Sequence, residues 1–235
     1  MKITTVLFDL DGTLLPMDQD VFIKSYFGEL AKKLVPHGYD KDALLGAIWA
    51  GTKAMITNTG EKINEDAFWD RFVEAYGSES GKNLTLFDDF YANDFCHVKN
   101  SCGYTPKSRE LINLLKSKGL RLVLATNPLC PSTATEQRMG WVGLSPSDFE
   151  LFTTYENSHY CKPNPEYYRE IFNKLGVKAE ECLMVGNDAL EDMIAETLGC
   201  KVFLLTDCLI NKENKDISIY PNGSFKELVE FIDTL

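Results

Sequence analysis

The chain has 235 residues, of which 44% are hydrophobic, and a formal net charge of −11, so it accommodates one sizeable core or a core with a smaller second module. The acidic balance argues against partners such as nucleic acid or an anionic membrane, because both require clustered Lys and Arg. No leader-like segment opens the sequence, no apolar run approaches the roughly 18 residues of a membrane span, and the odd cysteine count indicates no disulfide framework, so a cytoplasmic location is expected.

The first predicted element is a buried strand, the apolar run at residues 3–8. Asp9 and Asp11 follow it and lead into the turn residues Gly12 and Thr13. Because strand side chains alternate between faces, the two carboxylates are expected to point the same way. Their repulsion either raises one pKa or is relieved by a divalent cation, and an all-oxygen site suits Mg²⁺. An ordinary acidic turn is the alternative interpretation.

The next segment, residues 17–100, shows amphipathic helical patterns and no convincing long strand. Four of its apolar residues recur at every fourth position: Phe22, Tyr26, Leu30 and Leu34. From residue 101 onward, helices alternate with short apolar strands, which is typical of a parallel sheet with right-handed crossovers. We therefore predict an α/β protein with a doubly wound parallel sheet, formed by residues 1–16 and 101–235 and interrupted by an all-helical insert.

The later elements follow from apolar runs and from helix start and stop residues. Strands are predicted at residues 120–125, 151–153, 182–185 and 202–205. Helices are predicted at residues 165–175 and 190–198, each ended by the glycine that follows it. Ser224 and Glu227 have the spacing of a capping box and predict the start of the last helix.

Polar residues follow the predicted strand ends in three groups: Thr126 and Asn127, then Lys162, and finally Asn187, Asp188 and Asp192. Taken singly, each group has an ordinary interpretation as a turn, a solvated lysine or an acidic helix start. In a doubly wound sheet, however, ligands bind at the carboxyl ends of the strands. The joint position of these groups therefore predicts one shared site.

The order of these groups, Asp-x-Asp-Gly-Thr, Thr-Asn, Lys-Pro and Gly-Asn-Asp with a later Asp, resembles the four motifs of the haloacid dehalogenase superfamily. The resemblance spans Asp9 to Asp192 and implies a Rossmann-like core, with the helical insert as that superfamily's first cap type. It further implies a magnesium-dependent phosphatase that hydrolyses a small phosphorylated metabolite. Members that remove halide lack the second Asp of the pair, so Asp11 argues against dehalogenation.

The residue types fit roles in such a reaction. Asp9 is expected to attack phosphorus and form an aspartyl-phosphate, while Asp11 protonates the leaving group and later activates water. Lys162 supplies a cation against both the phosphate and Asp9. The phosphoryl oxygens are expected to be held by backbone amides near Asp11 and by Gly12, Thr13, Thr126, Asn127 and Lys162.

The expected ligands of Mg²⁺ are Asp9, Asp11 and one residue of the fourth motif. That motif departs from the family pattern, which most often has an acid directly after the glycine, whereas Asn187 stands there and Asp188 follows. Asp188 is favoured because a carboxylate adds charge as well as an oxygen. Coordination by the carbonyl oxygen of Asn187, and a secondary role for Asp192, are the alternatives.

Two other functions share these motifs. A sugar phosphomutase has a similar core and nucleophile but must shield the aspartyl-phosphate from water. A non-catalytic phosphoacceptor or binding module on the same fold is the alternative from a different class. Substrate specificity is expected in the helical insert and in the loop after Asp11. There Phe27, Trp49, Trp69 and Phe72 are either substrate contacts or, more commonly for such residues, part of the core.

Overall fold

The computed structural model describes residues 2–77 and 84–234 and contains one sheet of six parallel strands. The strands are β1 (Thr5–Phe8), β2 (Arg121–Leu124), β3 (Leu151–Phe152), β4 (Cys182–Gly186), β5 (Lys201–Leu205) and β6 (Asn222–Gly223). Their order is β3-β2-β1-β4-β5-β6, so β1 lies at the centre and pairs with both β2 and β4. The predicted Rossmann-like, doubly wound sheet is therefore confirmed, with its switch point beside β1.

The central strand is apolar because helices cover both faces of the sheet. All four residues of β1 are buried. Val6 and Phe8 belong to the larger hydrophobic cluster, which includes residues of the helical insert. Leu7 belongs to the cluster on the opposite face, together with Tyr168 and Phe172. This alternation of side chains along β1 determines the face of the sheet toward which the side chains of the residues directly after β1 point.

The described part of the chain contains eight α-helices. Four lie between β1 and β2: α1 (Gln19–Leu34), α2 (Lys41–Ile56), α3 (Asn64–Tyr76) and α4 (Leu84–Asp89). Four belong to the core: α5 (Lys107–Ser117), α6 (Ser132–Trp141), α7 (Pro165–Leu175) and α8 (Phe225–Ile232). None of them combines the length and the apolar character that a bilayer span requires.

The insert joins the core where its two connections run side by side. The Gly103 N–H donates to the Pro16 carbonyl over 2.7 Å, and Met17 forms an isolated antiparallel bridge with Cys102. These contacts coincide with the predicted boundaries at residues 16/17 and 100/101. The division into two domains stays a prediction, because the buried residues of insert and core form one continuous hydrophobic cluster.

Two predicted helices outside the insert have contrasting outcomes. The helix over 165–175 is confirmed, and Gly176 ends it with a left-handed φ of 63°. The helix predicted over 190–198 is wrong at its start, because a turn occupies residues 189–192 and a 3₁₀ helix follows at Met193–Leu198. The Asp188 side chain accepts from the backbone N–H groups of Leu190 and Glu191, which fixes that turn in place of helical hydrogen bonds.

Near the end of the chain, one feature was predicted from the sequence and one was not. The capping box of Ser224 and Glu227 is present at the start of α8, as predicted. Strand β6 has only two residues, Asn222–Gly223, neither of which is typical of a strand, and the sequence patterns did not predict it.

Candidate active site

A cavity of about 210 Å³ lies between the strand ends and the helical insert. We call the lining residues that follow β1, β2 and β4 the floor, and the lining residues from positions 17–91 the roof. Of the predicted site residues, those that line the cavity are Asp9, Asp11, Thr126, Asn127, Asn187, Asp188 and Asp192. The sequence motifs therefore converge on one site, as predicted from their positions at strand ends.

Asp9 follows β1 and has both carboxylate oxygens engaged. Oδ1 accepts from Lys162 Nζ over 3.0 Å, and Oδ2 accepts from the Thr13 hydroxyl over 3.2 Å. The backbone N–H of Asp9 bonds the Val185 carbonyl at the end of β4 over 2.9 Å. With only 8% of its surface exposed, Asp9 is held in one orientation at the cavity.

Asp11 lines the same cavity and is paired with a buried arginine. Its Oδ2 accepts from Nη1 of Arg138, while its Oδ1 is buried and has no hydrogen-bond partner in the described chain. Burial is the main cause that raises the pKa of Asp11; Arg138 opposes this effect and Asp9 adds to it. A raised pKa favours the protonated form, which a general acid requires.

Lys162 is 1% exposed and lies between two carboxylates. Its Nζ is 3.0 Å from Asp9 Oδ1 and 2.6 Å from Asp192 Oδ1. Burial alone would lower the pKa of Lys162, but Asp192 and Asp9 outweigh it and raise that pKa well above the ordinary value. Lys162 is therefore a fixed cation beneath the floor.

The turn after Asp11 requires glycine. Gly12 has a φ of 85°, and a Cβ atom there would lie 2.2 Å from Nδ2 of Asn187. The Thr13 hydroxyl lies 3.0 Å from Asn187 Oδ1, besides its contact with Asp9. These contacts give Gly12 and Thr13 a part in positioning Asp9 and Asn187, and their part in phosphate binding stays a prediction.

Thr126 and Asn127, which follow β2, differ in their free hydrogen-bonding capacity. The Thr126 carbonyl accepts from the Tyr167 hydroxyl over 2.9 Å, but the Thr126 hydroxyl has no partner within residues 2–77 and 84–234. The Asn127 amide instead donates to Glu191 over 2.9 Å and accepts from the Lys162 backbone N–H over 3.2 Å. Thr126 is available to a ligand, whereas Asn127 fixes the Lys162 loop.

The fourth motif offers one free carboxylate oxygen. Asp188 Oδ1 accepts from two backbone N–H groups, while Oδ2 has no described partner. Both oxygens of Asp192 are engaged, Oδ1 by Lys162 and Oδ2 by the Asp188 N–H over 2.9 Å. Asn187 is also engaged, because its Nδ2 donates to the Cys208 carbonyl over 2.7 Å.

The donor set of the cavity fits a hard cation. Its carboxylates are Asp9, Asp11, Asp188, Glu191 and Asp192, against two buried cations, Lys162 and Arg138. Burial is the main cause that raises the pKa of Glu191 to about 7; Lys162 opposes this effect, and the neighbouring carboxylates add to it. The described residues contain no group of three or more acidic, His or Cys side chains that could hold a metal ion. Mg²⁺ needs only one or two carboxylates, because it keeps several waters.

Two residues of the site, Arg138 and Glu191, were not predicted. Arg138 is 3% exposed and is buried together with Ala134 and Trp141 on the inner face of α6. Its spacing of four residues from Ala134 and three from Trp141 would have placed it inward, had α6 been recognised as a helix. Glu191 follows the fourth motif directly, but its contact with Asn127 depends on a residue 64 positions away.

The aromatic residues predicted in the insert divide into two groups. Phe27, Trp49 and Trp69 line the cavity, as does Phe22. Phe72 is fully buried and packs edge-on against Phe87, with 5.3 Å between ring centroids. Phe72 is thus a core residue, and the other three are available to a ligand.

The sequence was compared with known proteins and solved structures. The model of the family described as "haloacid dehalogenase-like hydrolase" matches residues 3–195. A phosphoglycolate phosphatase of Aquifex aeolicus is 24% identical, over 97% of this chain and 96% of that protein. The pyrophosphatase PpaX of Bacillus cereus is 26% identical, over 86% of this chain and 82% of that protein.

Solved structures share the fold at lower identity. A predicted phosphoglycolate phosphatase from Haemophilus somnus has a TM-score of 0.60 at 18% identity and covers 98% of each chain. The L-2-haloacid dehalogenase RSc1362 has a TM-score of 0.59 at 18% identity, over 99% of this chain and 100% of that one.

The match to the family spans every motif of the site, from Asp9 to Asp192. The two sequence relatives, from Aquifex aeolicus and Bacillus cereus, are named as a phosphatase and a pyrophosphatase, so the predicted enzyme class, a phosphoric monoester hydrolase-like enzyme, is confirmed. The predicted resemblance is confirmed as well, and the chain belongs to the haloacid dehalogenase-like hydrolases.

Proposed function

We propose that this hydrolase is a magnesium-dependent phosphatase that cleaves a small phosphorylated metabolite through an aspartyl-phosphate at Asp9. The observation that carries the proposal is the geometry of Asp9. Its carboxylate is fixed by Lys162 and Thr13 at a cavity that it shares with Asp11, whose pKa is raised. The cavity volume of about 210 Å³ is below the roughly 300–1,000 Å³ of drug-sized sites, which supports a small substrate.

The reaction divides into two displacements at phosphorus. In the first, a carboxylate oxygen of Asp9 bonds to phosphorus, the ester P–O bond breaks, and Asp11 gives its proton to the leaving oxygen. In the second, Asp11 takes a proton from a water molecule as that water attacks phosphorus. The bond between phosphorus and Asp9 then breaks, which releases inorganic phosphate and restores both carboxyl groups.

Three hydrogen-bond donors near Asp9 are unpaired among the described residues and are proposed to hold the phosphoryl group. The Thr126 hydroxyl and the backbone N–H groups of Leu10 and Asp11 donate to no residue in the described ranges. Such preorganised donors stabilise charge that redistributes in the transition state. Lys162 adds a fixed positive charge on the Asp9 side.

The proposed ligands of Mg²⁺ are Asp9, Asp11 and Asp188. No three such side chains of the described residues already form a metal-binding group, so one or two of these carboxylates would bind the ion directly and the rest through water. The free Oδ2 of Asp188 supports this residue over Asn187, whose amide is engaged by Cys208 and Thr13. When bound, Mg²⁺ neutralises the repulsion between an anionic nucleophile and an anionic phosphate. Asp192 then acts as a positioning residue, because Lys162 and the Asp188 N–H occupy its carboxylate.

Hydrolysis is favoured over the alternatives. The relatives named as phosphatases support hydrolysis over phosphoryl return by a sugar phosphomutase. A non-catalytic phosphoacceptor has no need of a protonatable Asp11 or of an enclosed cavity. The cytoplasmic location and the absence of a nucleic-acid partner stay predictions.

The test is release of inorganic phosphate by the purified protein from a panel of phosphorylated sugars, acids and nucleotides, with Mg²⁺ and with EDTA. We expect Mg²⁺-dependent turnover of at least one small monoester and none by Asp9→Asn. Absence of turnover across the panel, or full activity in EDTA, would contradict the proposal.

A further inference from the structure

The roof of the cavity differs chemically from the floor. Eight of its residues present aromatic rings: Phe22, Tyr26, Phe27, Trp49, Phe68, Trp69, Phe87 and Tyr91. None of the described residues in the roof carries a charge. The polar residues of the roof are Gln19, Thr52 and the two tyrosines. The leaving group of a substrate bound at Asp9 would lie against this surface, because the floor holds the phosphoryl group.

A second anion on the substrate would have no cation of its own. Among the described residues that line the cavity, Arg138 is the only Lys, Arg or His side chain. Arg138 is already bound to Asp11 and to the Thr135 hydroxyl, the latter over 3.2 Å. Lys162 is likewise engaged by Asp9 and Asp192. Burying an unpaired carboxylate or phosphate against aromatic rings is strongly unfavourable.

The rings themselves favour a flat apolar partner. Phe27 meets Trp49 edge-on with ring centroids 5.4 Å apart, and Trp49 is 53% exposed. The hydroxyls of Tyr26 and Tyr91 are 2.7 Å apart and hydrogen-bond each other. These two polar groups of the roof therefore use part of their hydrogen-bonding capacity on each other. Edge-to-face and offset contacts with such rings stabilise an aromatic ligand beyond the area it buries.

We infer that the substrate is a phosphate monoester of an uncharged alcohol that carries an aromatic ring. The inference rests on the proposed phosphatase function and names the substrate class for the same site. It separates this chain from the substrates in its relatives' names, since phosphoglycolate carries a carboxylate and pyrophosphate a second phosphate. Phe27 and Trp49 are the specificity-determining residues, and neither contacts the reacting atoms.

The test compares kcat/KM for four alkyl phosphates with similarly poor leaving groups: phenethyl phosphate, cyclohexylethyl phosphate, ethyl phosphate and phosphoglycolate. We expect phenethyl phosphate to exceed ethyl phosphate by roughly 100-fold, because a buried ring removes a large apolar area from water. It should exceed cyclohexylethyl phosphate by about threefold or more, and phosphoglycolate by at least about tenfold.

Variants locate the preference in the roof. Phe27→Ala should lower kcat/KM for phenethyl phosphate by a factor at least about tenfold larger than for ethyl phosphate. Val21→Ala is the matched control, because Val21 is also on α1 but is 53% exposed and does not line the cavity. If Phe27→Ala fails to fold, the exposed Trp49 provides the same test as Trp49→Ala. Thr52→Lys, which adds a cation to the roof, should shift the preference toward phosphoglycolate.

The possible failures are distinguishable. An active enzyme that prefers phosphoglycolate to phenethyl phosphate would overturn the inference and leave the phosphatase function standing. Equal rates for phenethyl and cyclohexylethyl phosphate would overturn the aromatic part. If the enzyme turns over none of the four esters and does not hydrolyse para-nitrophenyl phosphate with Mg²⁺ either, the proposed phosphatase function itself is contradicted.

Discussion

The floor of the cavity is built from charged side chains with fixed partners, whereas the roof is built from aromatic side chains without charge. Asp9 and Asp192 of the floor are joined by Lys162 beneath them in one buried hydrogen-bonded chain. On the roof, Phe27 and Trp49 contact each other through ring edges. If the sheet fixes the reaction and the insert selects the substrate, as we propose, changes in the two regions should affect different measurements.

The largest effect is expected at the centre of the floor. Asp9→Asn removes the proposed nucleophile and a proposed charged metal ligand, so kcat should fall by at least about 10⁴-fold. The fold should survive, because Asn retains an oxygen that can accept from Thr13 or Lys162. Phosphate release and thermal unfolding of the same preparation test this, and substantial turnover by a folded Asp9→Asn protein would eliminate the mechanism.

The next effect concerns the proton of Asp11. Asp11→Asn should slow hydrolysis of an alkyl phosphate by about 10²–10⁴-fold, because the alkoxide then leaves without general acid catalysis. Para-nitrophenyl phosphate, whose leaving group needs no proton, should show a much smaller loss in the first displacement. Single-turnover rates for both esters check this difference. Unchanged turnover of the alkyl phosphate would exclude Asp11 as the acid.

A third prediction separates metal binding from turn stability at the fourth motif. Asp188→Ala should raise the Mg²⁺ concentration needed for half-maximal rate by roughly 10–100-fold. It should also lower the free energy of unfolding by about 1 kcal/mol, because Oδ1 caps the following turn. Asp188→Asn keeps the cap and loses the charge, so it should change the Mg²⁺ requirement with little loss of stability.

Asn187→Ala tests the alternative, in which Asn187 rather than Asp188 is the metal ligand. Its amide bonds Cys208 and contacts Thr13, so we expect a loss of stability and a Mg²⁺ requirement close to that of the parent. Magnesium titrations of activity together with melting curves for all three variants decide the assignment. A normal requirement in Asp188→Ala with a raised one in Asn187→Ala would transfer the ligand role to Asn187.

The smallest effect is expected in the roof. Tyr91→Phe breaks the 2.7 Å hydrogen bond to Tyr26 and should cost about 1 kcal/mol of stability. Because neither tyrosine contacts the floor carboxylates through a hydrogen bond, kcat for ethyl phosphate should stay within about threefold of the parent. A changed Mg²⁺ requirement in this variant would show that roof and floor are coupled.

The floor could be predicted largely from sequence, because its residues directly follow apolar strands. Asp9, Thr126 and Asp188 are local to strand ends, and a parallel sheet brings such ends together without further information. Lys162 was found through its place before a proline-marked helix start. The cavity itself, and the division of aromatic residues between lining and core, required the packing of the insert.

Other features depend on partners distant in sequence. Arg138 reaches Asp11 across 127 positions, so no local pattern around either residue indicates the pair. The helix expected over 190–198 failed because Asp188 and Asp192 bond the backbone of the turn, a competition that apolar periodicity does not register. Both errors concern polar side chains whose partners are set by tertiary structure.

The most direct test of the central claim is to trap the phosphorylated enzyme. Asp11→Asn protein mixed with ³²P-labelled para-nitrophenyl phosphate and Mg²⁺ is quenched in acid within one turnover, and its peptides are mapped. We expect label on the peptide that contains Asp9, and none in the double variant that carries Asp9→Asn together with Asp11→Asn. Label on another residue, or a full burst of nitrophenol with no covalent label, would contradict nucleophilic attack by Asp9.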